Sequence, residues 1–158
     1  MVLAGITLAT LTLPLFVPAW QSALGRTFCY PFIGPVQRFN PDLSDSLLAR
    51  VRAHENVYAD QCRRDGALWH NLRRLVPSQR LQAESEAFCG EVRWGAALGG
   101  QTRLAYARAL DELRESVWFH RFSDEQIAAA LRSQCPDLAA SARRQQAAWE
   151  NRRRSGVP

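Results

Sequence analysis

The sequence predicts an all-α protein, an irregular bundle of five or six helices preceded by an N-terminal hydrophobic helix. Three observations carry that expectation. Beyond residue 42, apolar residues recur at steps of three and four, the spacing that puts them on one face of a helix. No stretch alternates with a period of two, and neither Asn-Gly nor Asp-Gly marks a hairpin. Val2 to Trp20 carries no charged side chain, and about 20 residues at ~1.5 Å rise suffice to cross a hydrocarbon core.

The chain divides accordingly into a hydrophobic anchor or signal segment (1–24), an aromatic and Pro-rich connector (25–41), a helical domain (42–150) and a basic flexible tail (151–158). In the first segment Gly5, Thr7, Thr10 and Thr12 dilute the leucines, and Pro14 would kink a spanning helix. Val17-Pro18-Ala19 and Gln21-Ser22-Ala23 have the small residues of a cleavage site. No Arg or Lys precedes the apolar run as a secretory leader requires, so a retained anchor is the expectation. Arg26 and Arg38 follow it, which under the positive-inside rule would place the domain in the cytoplasm. The cysteines point instead to the periplasmic side, and the orientation stays open.

Along the connector, Phe28, Tyr30, Phe32 and Phe39 are expected to plug onto the domain without regular structure. Asn40-Pro41 reads as the start of a first helix carrying Leu43, Leu47, Val51, His54, Tyr58 and Cys62 on one stripe and ending near Arg63 to Gly66. A short helix should run from Ala67 to Val76, with Leu68, Leu72 and Leu75 inward and Pro77 stopping it. Ser78 then caps a third, with Leu81, Phe88 and Val92 inward and an end near Gly95. The fourth, Thr102 to Phe119, buries Tyr106, Leu110, Leu113 and Val117. Ser123 and Gln126 form a capping box, with Asp124 and Glu125 at the positive end of the helix dipole and Ile127 and Leu131 in the core. Cys135-Pro136 ends that helix and opens a last one bearing Leu138, Ala142 and Trp149.

All 20 basic residues are arginine, and the formal net charge is +5. The body from Arg26 to Ala142 is nearly balanced, whereas from Arg143 onward five arginines face Glu150 alone. Cys29, Cys62, Cys89 and Cys135 lack the CxxC spacing of a zinc or thioredoxin-type site. Behind an export-like segment they are disulfide candidates, with three possible connectivities.

No catalytic, cofactor-binding or metal-binding residue is expected. Of the three histidines, His54, His70 and His120, His54 is two helical turns from Cys62, too far for proton transfer, and Cys89 with His120 is no more than a chance pairing. His54-Glu55 lacks the second histidine of HExxH, and neither a Walker loop, GxGxxG nor CxxCH occurs. Glu84, Glu86 and Glu91 could supply the carboxylates of a cell-wall hydrolase, but they read as a solvated helix face.

The leading functional expectation is a noncatalytic, membrane-tethered helical domain that binds another protein, as an accessory subunit of a membrane complex or as an inhibitor or immunity-type binder. Interface candidates are Trp69, Trp94, Trp118, Arg143 and Arg144, since Trp and Arg are enriched at binding hot spots. The alternatives are an extracytoplasmic cell-wall hydrolase and a cytoplasmic-facing domain binding anionic lipid through Arg152–Arg154; nucleic acid is not an expected partner.

Overall fold

A computed structural model describes residues 24–155, so the expected anchor, apart from Leu24, and its cleavage sites lie outside the described residues. Among the described residues no helix is long and apolar enough to cross a membrane. The architecture is mostly helical, as expected, but it opens with a two-stranded sheet: β1 (Gly25–Tyr30), β2 (Gly34–Phe39), α1 (Asp45–Asp65), α2 (Ala67–Arg73), α3 (Pro77–Ala97), α4 (Thr102–Glu115), α5 (Asp124–Gln134) and α6 (Pro136–Arg154).

The hairpin corrects the expectation of an irregular connector and of a wholly α-helical chain. β1 and β2 pair antiparallel, Gly25 opposite Phe39 and Tyr30 opposite Gly34. Two features hid it. The inward residues of β1 are Thr27 and Cys29, whereas the aromatic Phe28 and Tyr30 stack on each other at 6.1 Å on the other face, so hydropathy does not report the alternation. The turn uses Phe32 at φ 67°, a left-handed conformation normally left to Gly or Asn, closed by Ile33 N–H donating to Pro31 O at 2.8 Å.

α1 begins at Asp45 rather than after Pro41. Asn40 does not cap it; the Asn40 side-chain oxygen accepts from the Asp42 amide at 2.9 Å in a local turn. Val51, Tyr58 and Cys62 of the expected stripe are buried, and Gly66 at φ 74° reverses the chain after the last turn. α1 lies along α3, and the crossing is close because Gly90 faces it: a Cβ there would come within 2.6 Å of Val57 Cγ2 and 3.2 Å of Ala53 O. Gly90→Val should therefore destabilise the fold by about 1–3 kcal/mol through overpacking, seen as a lower urea midpoint with unchanged slope; an unaltered midpoint would show that the helices separate freely.

α2 is shorter than expected, and its orientation is the reverse of the expected one. Leu68, Leu72 and Leu75 are exposed, and His70 is buried in their place. The reason is tertiary: Asn71 Nδ2 donates to Cys29 O at 3.2 Å, which fixes the Asn71–His70 side of α2 against the hairpin and α1. Pro77 does not stop α2 but occupies the first turn of α3, and Val76, not Ser78, is its N-cap.

The main core lies among α3, α4, α5 and α6, where Leu81, Val92, Leu113, Phe119, Ile127 and Leu131 meet. α4 stops at Glu115, because Ser116 turns extended; Phe119 then reaches the core from the following turn, and Val117, expected inside, is exposed. The capping box at Ser123 and Gln126 is formed as expected. α6 continues through Arg152–Arg154, residues expected in a tail.

Candidate functional site

Two places concentrate chemistry: a cluster of charges between α1 and α3, and an apolar end built from α2 and its surroundings. The cluster follows from helix spacing. On α1, Arg50, His54 and Tyr58 are spaced i, i+4, i+8; on α3, Leu81, Glu84, Phe88 and Glu91 follow at steps of three, four and three, one continuous face. The two faces meet, and His54 sits between both carboxylates. Its Nδ1 is 2.9 Å from Glu91 Oε1 and its Nε2 is 3.6 Å from Glu84 Oε2. Phe88 meets the imidazole edge-to-face at 4.8 Å and Tyr58 at 5.3 Å.

Arginines close the network. Arg50 Nε approaches Glu91 Oε2 at 3.6 Å, and its Nη1 donates to Glu112 Oε1 at 3.1 Å on α4. Arg74 Nη2 is 4.0 Å from Glu84 Oε1, with its guanidinium 4.7 Å above the Tyr58 ring. Beside this group the Thr27 hydroxyl lies 2.7 Å from Glu55 Oε2 and 3.0 Å from the Glu55 carbonyl oxygen, tying β1 to α1.

Burial by itself would push the His54 imidazole down, but hydrogen bonds and charge from Glu84 and Glu91 outweigh it and hold its pKa at about 9. Burial pushes the Glu84 carboxyl up, and the bond to His54 reverses this and leaves it below its ordinary range. Glu55 goes the other way: burial raises it and the Thr27 bond offsets only part. At neutral pH His54 is thus an imidazolium that donates from Nδ1 to Glu91 and pairs in charge with Glu84 through Nε2. In that state it cannot accept a proton, so the cluster suits an ion-paired brace better than a general base.

A cavity of about 220 Å³ opens beside it, lined by Arg50, His54, Glu55, Phe88, Glu91 and Glu112 among others. The expected solvated face of Glu84, Glu86 and Glu91 is therefore corrected: Glu84 and Glu91 belong to this cluster, and Glu86 accepts from Arg64 at 2.9 Å and from Gln61 at 2.9 Å. Sequence reading missed Arg50 and Glu55. Arg50 could have been found, since it lies one turn before His54 on the same stripe.

Other candidates are dispersed. Cys29 and Cys62 are joined, linking β1 to α1. Cys89 and Cys135 are buried thiols in contact, with Cys89 Sγ donating to Gln134 O at 3.4 Å. His120 is exposed and bonds to Val117 O, so it does not meet Cys89. His70 is buried with neither ring nitrogen paired, and burial lowers its pKa. Among the described residues no His, Cys, Asp and Glu cluster has metal-site geometry.

Of the interface candidates, Trp69 is 54% and Trp118 57% exposed, whereas Trp94 is half-buried. Trp69 lies on α2 beside Leu68, 75% exposed, and the chain leaving α2 adds Leu75, 77% exposed, and Val76. Trp118 joins the same end because the Arg80 guanidinium, in the first turn of α3, lies 3.8 Å from its ring centroid. The hairpin tip, Phe32 and Ile33, is also exposed and follows Cys29, against which α2 is bonded. Arg143 and Arg144 are exposed on α6.

Comparison with known protein families, with curated protein sequences and with solved structures gives no match for this chain.

Proposed function

We propose that this chain is a noncatalytic helical domain, tethered to a membrane by residues 1–24 on the extracytoplasmic side, that binds another protein through the apolar end formed by α2 and the start of α3. The observation that carries the reading is the exposure of Trp69 and Trp118 together with Leu68, Leu72, Leu75 and Val76. Soluble domains leave single apolar side chains in water routinely, but a group that combines Trp69 on a short, one-sided helix with Trp118 from the turn after α4 matches the composition of binding hot spots. The Cys29–Cys62 bond fits an oxidising compartment. The internally paired His54 cluster fits a domain whose charges stabilise it rather than perform acid-base work.

The test is in-membrane crosslinking of the full chain beside a Trp69→Ser/Trp118→Ser variant. Both side chains are largely exposed, so the variant should keep its thermal midpoint within a few degrees while losing a discrete crosslinked partner seen with the unaltered protein. Identical crosslinks from both would refute the reading. A second reading, a cell-wall hydrolase, draws on Glu55, whose carboxyl is held toward its neutral form on the same cavity as Glu91. Peptidoglycan release by the purified protein, abolished in Glu55→Gln, would replace the first reading with this one.

A further inference from the structure

Among the described residues some arginines are ion-paired and others are not, and one set of each kind matters here. Arg50, Arg64, Arg73, Arg108 and Arg114 each have a carboxylate partner. Arg103, Arg132, Arg143 and Arg152 have none among the described residues, and all four border the groove where α4, α5 and α6 meet. Two hollows of about 240 and 340 Å³ run along that groove and share Arg103. The floor of the first is apolar, made by Tyr106, Leu110, Ala128, Ala139 and Ala142, with the buried Tyr106 hydroxyl unpaired. The second ends at Trp149, whose ring lies 5.1 Å from the Arg103 guanidinium and 5.4 Å from that of Arg153. Arg103 also donates to Gln146 Oε1 at 3.0 Å, so it is held in place while its charge stays uncompensated.

We infer that this groove receives an acidic amphipathic helix of a partner protein, apolar residues on the alanine-rich floor and carboxylates against the four arginines. Guanidinium groups pair with carboxylates in a two-pronged geometry, and an apolar floor with a charged rim is the pattern by which grooves take amphipathic helices. Arg143 and Arg152 stand nine residues apart on α6, about 13 Å along its axis, a span that an incoming helix covers with carboxylates two to three turns apart. A bilayer presents a flat surface and would meet the rim without filling the floor. This inference concerns a different surface from Trp69 and Trp118 and stands or falls separately.

The experiment uses the full chain and a fluorescein-labelled helical peptide of about 18 residues, ~27 Å long, with a leucine stripe flanked by glutamates. A second peptide has lysine for every glutamate, and phosphatidylglycerol vesicles form the third arm. The expected result is binding of the acidic peptide alone, weakened by added salt and at least about tenfold weaker in Arg103→Ala/Arg143→Ala, with Arg63→Ala and Trp69→Ser/Trp118→Ser unaffected. Trp149 fluorescence should shift on binding. Equal binding of the lysine peptide, unchanged affinity in the arginine variant, or binding to vesicles without binding to the acidic peptide would each overturn it, the last in favour of an anionic lipid surface.

Discussion

Replacing His54 with alanine is expected to destabilise the protein by about 3–5 kcal/mol, because it removes the cation between Glu84 and Glu91 and leaves them only the longer pairings with Arg74 and Arg50. The loss would appear as a large fall in the urea midpoint, with Glu84→Gln/Glu91→Gln in the same background restoring part of it. The intact cluster also sets a pH dependence of definite sign. His54 has a folded pKa of about 9, above its ordinary ~6.5, so its stabilisation is complete below about pH 6.5 and is lost as pH rises through 9. Between those limits the domain should lose on the order of 3 kcal/mol, discounted for what Arg50 and Arg74 return to the two carboxylates. His54→Ala should show a flat profile over the same window. A histidine resonance for residue 54 titrating near pH 6.5, or equal stability at pH 6.5 and 9, would contradict the ion-pair assignment.

The second large effect concerns the bond between Cys29 and Cys62. It closes a loop with a sequence separation of 33, for which chain-entropy arguments give about 3–4 kcal/mol. It also fixes β1 on α1, where Thr27 bonds Glu55, and through Asn71 and Cys29 O it holds the buried side of α2. Cys29→Ser/Cys62→Ser should therefore lose that stability and, beyond it, loosen α2, so that His70 is protonated more easily and amide exchange rises first in residues 67–73. Uniform exchange across the chain would show that α2 is held by other means. The thiol pair on the far side of the core gives a companion expectation. In a glutathione redox buffer Cys89 and Cys135 should join as glutathione disulfide is reduced to two thiols, so that alkylation in denaturant labels neither until reductant is added. Labelling of both in the unreduced protein would refute it.

The helices that the sequence made legible are those whose signals are local. The capping box of α5 needs Ser123, Gln126 and a helical backbone and nothing else, and it is where expected. The α1 stripe is equally local, since the 3.6-residue period places Val51, Tyr58 and Cys62 together whatever they meet. The break at Cys135-Pro136 follows from the missing proline amide.

What tertiary structure decided is everything that depends on a partner distant in sequence. Leu68 and Leu72 have the spacing of a buried stripe, but a helix as short as α2 packs by whichever side its anchors choose, and Asn71 and His70 chose against the leucines. Glu84 and Glu91 lie on the apolar face of α3, and the arrival of His54, 30 and 37 residues earlier, together with Arg50 and Arg74, makes burial of two carboxylates tolerable. Period and capping are properties of a few consecutive residues and are written in the sequence. Which charge neutralises which, and which apolar face remains uncovered, is fixed when helices far apart in the chain come together.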